Sequence, residues 1–302
     1  MCIRDRRSAP PASRARPRGL DIGEKLQALE AELKKLGSVL VCYSGGVDSA
    51  FVLAVAHRVL GNRAIGMTAV SPSLAPSELE EATTLARAIG ADHRTVESQE
   101  IHDPSYQANA PDRCFHCKSE LYRIAEAKRA EWGIAHVLNG TNKDDLGDYR
   151  PGLEAAKNAN VKSPLVDLGF TKADVREGAK LLGLEIWDKP AAACLSSRIP
   201  FGTRVTPERL EQIASLEAGL RDLGFRRVRV RFHPTSDEQT KPFARIELDA
   251  AEITRAAEPG IRDEIVKRGK AAGFLYVTLD LAGYRMGSHN EALVGRSLRV
   301  VS

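Results

Sequence analysis

Six consecutive residues, Ser44-Gly45-Gly46-Val47-Asp48-Ser49, combine what a loop needs to hold a row of phosphates. Paired glycines let backbone N–H groups approach an anion closely, and a helix starting at Val47 adds partial positive charge. A helix end contributes only about 0.3–1 kcal/mol to an anion, up to about 2 when partly buried, so a triphosphate needs a cation as well. Asp48 indicates which cation. A bare carboxylate about 4 Å from a phosphate is repelled by roughly 4 kcal/mol at an effective dielectric near 20, so the pairing makes sense with Mg2+ between the two. The loop lacks the Gly-Lys-Ser/Thr ending of the phosphate loop that grips β- and γ-phosphates for hydrolysis. A plain glycine turn capping a helix is the rival reading, and the strand–loop–helix context counts against it.

Thiols form the second set. Cys114-Phe115-His116-Cys117 is a C-x2-C pair, and Cys194 follows 77 residues after Cys117, flanked by small residues in Ala193-Cys194-Leu195-Ser196-Ser197-Arg198. Such pairs serve zinc, redox exchange and clusters alike. Three thiolates with one position open suit a [4Fe-4S] cluster whose unique iron takes an outside ligand. A three-cysteine zinc site completed by His116, or three unrelated thiols, are equally open on the residues alone.

Two further segments carry charge. Asn139–Arg150 holds Asp144, Asp145 and Asp148. A strand ends there, so Gly140, Thr141 and Asp144 are candidates to face the same nucleotide, with a solvated turn as the alternative. Arg227, Arg229 and Arg231 alternate, so a strand projects all three from one face, with Glu217, Arg245 and Glu247 as possible neighbours. Arginine suits bidentate phosphate contacts, which makes a substrate-phosphate pocket the functional reading and an exposed polar sheet face the bland one. Trp132 and Trp187 read as core or lid residues rather than stacking platforms.

The elements that must position these residues follow from periodicity. Leu26, Leu29, Leu33 and Leu36 predict a helix over 21–36, and the continuous apolar run 39–43 predicts a strand buried on both faces. A helix over 47–60, a strand over 64–70, a helix over 77–89 with a Ser77/Glu80 capping box, and a weak strand over 94–96 come next. A helix over 120–132 and a strand over 135–139 complete a strand–helix alternation, which means a parallel sheet covered on both faces. Beyond it, Thr171 caps a helix over 171–182, a loop spans 188–204, and Pro207 starts a helix over 207–223. Strands over 227–232, 243–248 and 274–279 and a helix over 261–272 make a smaller α+β module. The expected division is a basic arm at 1–20, an α/β domain over 21–185 and an α+β domain over 186–302.

Composition sets the broad class. The chain has 302 residues, 43% hydrophobic and 28% charged, as in ordinary globular proteins, and no apolar run approaches the roughly 20 residues that cross a bilayer. Residues 1–18 hold six Arg and one Asp, which leaves the other 284 residues at −1 out of the net +4. The arm is expected to be disordered, and the body is not basic enough to favour a nucleic-acid partner. With no apolar stretch behind the first arginines, no secretory signal is expected. A cytoplasmic setting follows, where five cysteines point to metal or redox chemistry rather than disulfides.

The Ser44–Ser49 loop resembles that of the PP-loop ATP pyrophosphatases, which adenylate a substrate and release pyrophosphate. The resemblance narrows to the LarE family, sulfur transferases of nickel-pincer cofactor synthesis for lactate racemase. It is carried by that loop, Arg113-Cys114-x-x-Cys117-Lys118, Asn139–Gly152, Trp187–Pro200 around Cys194, the Arg227–Arg231 strand, Ala244–Glu247 and Leu281–Arg285. It implies a Rossmann-like PP-loop domain of the adenine nucleotide alpha hydrolase type with a smaller C-terminal α+β domain. It also implies adenylation of a carboxylate on pyridinium-3,5-biscarboxylic acid mononucleotide, then conversion to a thiocarboxylate. ATP and Mg2+ are assigned to Ser44, Gly45, Gly46, Val47, Asp48, Ser49, Gly140, Thr141 and Asp144. The substrate phosphate goes to Arg229, Arg231 and Glu217, with Lys118 and Lys189 neutralising developing charge. Some members sacrifice the sulfur of the cysteine at position 194; others hold a [4Fe-4S] cluster through three cysteines. With Cys114, Cys117 and Cys194 all present, the cluster version is expected, fed by sulfide or another sulfur donor. The stretch His233–Phe243 is longer than the family's short turn there. No membrane partner is expected, and a homo-oligomer is. A tRNA thiolase, an ammonia-using amidating synthetase and a non-catalytic nucleotide sensor are the rivals.

Overall fold

The computed structural model describes residues 21–147, 151–190, 193–235 and 241–285. The expected arm at 1–20 lies outside these residues, as do Asp148, Tyr149 and Arg150 of the second loop, Ala191 and Ala192 before Cys194, and 236–240.

A capping box between Asp21 and Glu24 opens α1 (Ile22–Leu36), and β1 (Val39–Cys42) follows with every residue buried. The chain continues through α2 (Val47–Leu60), β2 (Ala64–Val70), α3 (Pro76–Ile89) and β3 (Asp92–Glu97). Then come α4 (Pro104–Gln107), α5 (Arg113–Glu131), β4 (His136–Leu138), α6 (Pro151–Asn158), α7 (Pro164–Asp167) and α8 (Lys172–Leu181). Four parallel strands lie in the order β3-β2-β1-β4, with Val39 beside both Ala64 and His136. The chain therefore builds outward from β1 to β3 and then crosses back, which places the topological switch between β1 and β4. Period-two alternation divides β1 between two cores. Val39 and Val41 pack with Leu29, Leu33, Phe51, Phe170 and Val175, while Leu40 and Cys42 pack with Met67, Tyr122, Ala125 and Val137. Both faces of the sheet are covered, as a parallel sheet requires.

The second half comprises α9 (Pro207–Asp222), β5 (Val228–His233), β6 (Phe243–Leu248), α10 (Ile253–Ala257), α11 (Pro259–Ala271) and β7 (Tyr276–Leu279). β5 pairs antiparallel with β6, and β6 parallel with β7. Leu210, Ile213, Leu216 and Leu220 form one stripe of α9 and bury it on Val230, Phe232, Ala244 and Ile246. Ala75, Ile101 and Tyr106 from the first half join this core, together with Leu195 and Ile199 on either side of the segment after Cys194. The two halves thus share packed side chains where the thiols lie.

Three expectations need correction. Helix α3 starts at Pro76, not Ser77, with Ala75 as N-cap and no side-chain cap; proline's fixed φ and missing N–H suit the first helical position, so no capping box forms at Ser77. Helix α5 starts at Arg113, not Glu120, and takes both Cys114 and Cys117 into its first two turns. Tertiary bonds from Arg113 anchor that turn, which has weak periodicity of its own. Arg227 precedes β5 instead of opening it, and Arg231 is only 4% exposed, which counts against the rival reading of an exposed polar face.

Candidate active site

The Ser44–Ser49 loop stands between β1 and α2 in a closed, self-braced form. The buried Ser49 hydroxyl accepts from the Ser44 amide at 3.2 Å, lies 3.1 Å from the Ser44 hydroxyl and donates to the Gly46 carbonyl at 3.1 Å. Gly45 has φ +72°, and a Cβ there would sit 2.6 Å from Ala82 Cβ, so only glycine lets the loop lie against α3. Tyr43 secures the same contact by donating from its hydroxyl to the Ala82 carbonyl at 2.9 Å. Gly46 is the N-cap of α2 and offers no side-chain cap, which leaves the first amides of α2 without a side-chain acceptor from that position. Backbone amides in that arrangement suit phosphate oxygens. Ser44 is exposed at the mouth, and Val47 is buried beneath it.

Asp48 faces the second loop. Asn142 Nδ2 donates to Asp48 Oδ1 at 2.9 Å. Burial raises the Asp48 pKa, and the neighbouring Asp145 carboxylate raises it further, against Asn142 and Lys172. Asp145 is 7% exposed and accepts from the Asn142 amide at 3.2 Å, with Lys172 Nζ at 3.3 Å. Two neighbouring carboxylates at the head of a phosphate loop have the donor chemistry Mg2+ takes, with oxygen ligands shared between protein and phosphates. Asp144, the residue selected from sequence, is exposed and accepts instead from the Lys172 amide at 2.8 Å, at the start of α8. The residue brought to Asp48 is therefore Asp145, which shares the turn with Asp144 and differs only in facing inward. Gly140 is a packing residue: a Cβ there would meet the Ser49 amide at 2.7 Å and the Asp48 carbonyl carbon at 2.9 Å. The Thr141 amide donates to Asn139 Oδ1 at 3.0 Å, which shapes the turn.

The cysteines lie along the core that the two halves share, Cys117 packed against it and Cys194 next to its Leu195. Cys114 is exposed, and Cys117 and Cys194 are half-buried. Burial pushes the Cys117 thiol up to about 12, with further upward pushes from Cys194, Glu100 and Cys114 against Lys118. Arg113, 4% exposed, donates to Asn109 Oδ1 at 2.5 Å and to the Ser196 carbonyl at 2.9 Å. Asn109 Nδ2 in turn reaches the Pro200 carbonyl at 2.8 Å and the Thr203 carbonyl at 3.0 Å. Tyr106 meets Ser196 Oγ at 2.6 Å, and the Leu195 amide donates to the Ser73 carbonyl at 2.9 Å. These bonds seat the Cys194 segment against the start of α5. Three cysteine sulfurs match the donor type of an iron–sulfur cluster. Among the described residues, however, no three His, Cys, Asp or Glu side chains close together tightly enough to hold a metal ion.

The arginines belong to buried pairs. Arg198 lies 2.9 Å from Glu217 and also donates to the Cys194 carbonyl at 3.0 Å. Glu217, fully buried, further accepts from Arg221 at 3.2 Å and from the Val230 amide at 3.0 Å, so it positions arginines and strand rather than facing a phosphate. Arg231 makes a fork with Glu247 at 3.0 Å on both oxygens and donates to the Ser197 carbonyl at 2.8 Å. Arg229 is half-buried and held by Tyr284, whose hydroxyl accepts at 3.0 Å and whose ring lies 5.0 Å from the guanidinium. Burial and the positive Arg198 and Arg231 lower the Arg229 pKa, so its surroundings favour an anion beside it. Lys189 pairs with Glu81 of α3 at 2.7 Å. Sequence reasoning passed over Arg198, Tyr284 and Glu78, whose carboxyl pKa is raised by burial despite Arg198 and Lys189 nearby. Arg198 and Tyr284 lie inside the quoted motifs; Glu78 gave no signal.

The asparagine synthase family model matches residues 26–132. An uncharacterized protein of Synechocystis sp. is 45% identical over 269 residues, 89% of this chain and 98% of that protein. The pyridinium-3,5-bisthiocarboxylic acid mononucleotide synthase of Lactiplantibacillus plantarum is 38% identical over 278 residues, 92% of this chain and 98% of that enzyme. An uncharacterized protein of Methanocaldococcus jannaschii is 30% identical over 265 residues, 87% of this chain and 98% of that protein. Among the described residues, no helix is long and apolar enough to cross a membrane.

Proposed function

The chain belongs to the LarE family of PP-loop enzymes, and from that premise we propose that it adenylates a carboxylate of pyridinium-3,5-biscarboxylic acid mononucleotide with ATP. Pyrophosphate leaves, and the activated acyl group becomes a thiocarboxylate for the nickel-pincer cofactor of lactate racemase. The observation that most supports this is the uncapped start of α2 with Asp48 and Asp145 at its head, outside the carboxyl end of β1.

In this reading Ser44 and the amides at Gly46–Ser49 hold the pyrophosphate portion of ATP. Asp48 and Asp145 would hold Mg2+, which would neutralise phosphate charge. The substrate carboxylate attacks the α-phosphorus, and positioning with charge neutralisation lowers the barrier. Adenylation matters because a bare carboxylate has no adequate leaving group, whereas AMP departs readily. Arg229, set by Tyr284, and the Arg231–Glu247 pair beside it form the side on which the substrate's phosphate rests. Lys189 stands where the loop before Cys194 meets α3.

Cys114, Cys117 and Cys194 are the residues that would hold a [4Fe-4S] cluster, which would supply sulfur-transfer chemistry there. Arg113, Asn109 and Arg198 keep the Cys194 backbone in place for either a ligand role or sacrifice of its own sulfur. The proposed partners are small: the mononucleotide, a sulfide or other sulfur donor, and further copies of the chain. The test is direct. Incubation with ATP, Mg2+ and the pyridinium diacid mononucleotide is expected to give AMP and pyrophosphate; ADP and orthophosphate would overturn the proposal.

A further inference from the structure

Glu100 is 3% exposed, although a glutamate ordinarily lies at the surface. It opens the short turn Glu100–His102 that follows β3, and both of its carboxyl oxygens are taken by serines. The Ser73 hydroxyl donates to Oε1 at 3.1 Å, and the Ser98 hydroxyl donates to Oε2. Both serines are buried as well. Burying a carboxyl group is costly unless its bonds are made, and a fully bonded buried network holds one arrangement in preference to others.

The arrangement held here joins three pieces of chain. Ser98 continues from β3, and its amide donates at 2.9 Å to the carbonyl of Val70, the last residue of β2. Ser73 lies in the loop between β2 and α3, where its hydroxyl also meets Ser71 Oγ at 2.8 Å. While Glu100 holds the Ser73 side chain, the Ser73 carbonyl accepts from the Leu195 amide at 2.9 Å.

Leu195 follows Cys194 directly and is 2% exposed in the core shared by the two halves. The next residue, Ser196, is fully buried and meets the Tyr106 hydroxyl at 2.6 Å. A loop serine with one grip on a buried carboxyl group and another on the residue beside Cys194 transmits position from the sheet to that cysteine. The phosphate loop takes its bracing from Tyr43, Ser49 and Ala82. Glu100 therefore bears on the sulfur end of the site rather than on its nucleotide end.

We propose that Glu100 is a positioning residue for sulfur transfer, acting through Ser73 to fix the backbone that carries Cys194. The assignment rests on the reading of adenylation followed by sulfur transfer and deepens its second step. A misplacement of about 1 Å can cost about a hundredfold in rate, so a loosened Cys194 segment slows that step strongly.

Two variants test the link from either side. Glu100→Gln keeps the shape of the side chain and one of its two oxygens. Ser73→Ala keeps the carbonyl that Leu195 uses and removes the bond to Glu100. Full-length protein with free thiols is labelled with iodoacetamide, and peptide mass spectrometry compares Cys194 with the exposed Cys114. In both variants the ratio of Cys194 to Cys114 labelling is expected to rise about three- to tenfold, the range of one lost hydrogen bond opening the segment.

Protein prepared without oxygen is then given ATP, Mg2+, the diacid mononucleotide and sulfide. Pyrophosphate from the first turnover should stay within about twofold of the wild type, while thiocarboxylate formation falls at least about tenfold. A wild-type labelling ratio in both variants, or a parallel fall of pyrophosphate and thiocarboxylate, would overturn the proposal. If melting curves show that Glu100→Gln does not fold, Ser73→Ala decides alone. Wild-type protein that releases no pyrophosphate sinks the adenylation reading, and the labelling ratio then decides by itself whether Glu100 places Cys194.

Discussion

Replacing Asp48 by asparagine separates what its carboxylate does for the fold from what it does for the nucleotide. The asparagine keeps an oxygen to accept from Asn142 Nδ2, which lies 2.9 Å from Asp48 Oδ1, so the link between the two loops survives. What disappears is a charge that burial and Asp145 both disfavour. A carboxyl whose folded pKa is raised contributes stability fully below its unfolded value of 3.8 and loses that contribution as pH rises through the folded pKa. At neutral pH the ionised group is thus a burden on the ligand-free protein. Neutralising it is expected to stabilise by about 1 kcal/mol, the low end for relieving a buried charge, or about 2–4 °C in Tm for a chain of this size. Pyrophosphate release should fall about a hundredfold, equivalent to about 2.7 kcal/mol, within the range of one charged contact. Melting curves between pH 4 and 8 and a pyrophosphate assay at saturating Mg2+ read the two effects. Normal release would refute the metal role, and a fall in Tm of several degrees would show the carboxylate to be structural.

The inward and outward aspartates of the second loop should behave differently in the same assay. Asp145→Asn is expected to slow pyrophosphate release by at least about tenfold, whereas Asp144→Asn keeps an oxygen to accept from the Lys172 amide and should leave release and stability nearly unchanged; the reverse order of effects would return the metal role to Asp144. Arg229→Ala should raise the KM of the mononucleotide far more than that of ATP and leave Tm nearly unchanged, and equal effects on both would argue against a substrate-phosphate contact. Arg231→Ala should cost about 3 kcal/mol in a denaturant titration, because Glu247 stays fully buried and loses its two-oxygen partner, with Arg245 still at 3.4 Å; a small loss would show the pair to be dispensable. Protein prepared without oxygen is expected to contain iron and sulfide, and tightly held zinc would end the cluster proposal. After turnover, mass spectrometry should find Cys194 intact on the cluster route, and a loss of hydrogen sulfide there would mean sacrifice.

Much of the first domain was legible because local signals and global packing agree. The run 39–43 could only be a doubly buried strand, and the glycines after it could only be a turn into a helix. Thr171 and Pro207 announced their helices through capping chemistry that tertiary structure does not override. The start of α5 was not legible, since Arg113-Cys114-Phe115-His116-Cys117 has little periodicity and is fixed by Asn109 and Ser196 from elsewhere in the chain. The partners of the arginine strand were not legible for a related reason. Alternation reports which residues share a face, and it does not report whether Glu217 and Glu247 will be buried against that face. Asp144 and Asp145 show the limit in miniature: adjacent identical residues, told apart only by Asn142 and Lys172.

The turn after β4 rests on the head of α2 with no room for even a methyl group at Gly140. Such a site has no gradation of tolerance. In a saturation library selected for growth, position 140 would return a single amino acid, while position 144, a few steps along the same turn, would drift freely. The crevice is thus guarded by a residue that need touch no ligand, and a survey of variants could mistake it for a catalytic one.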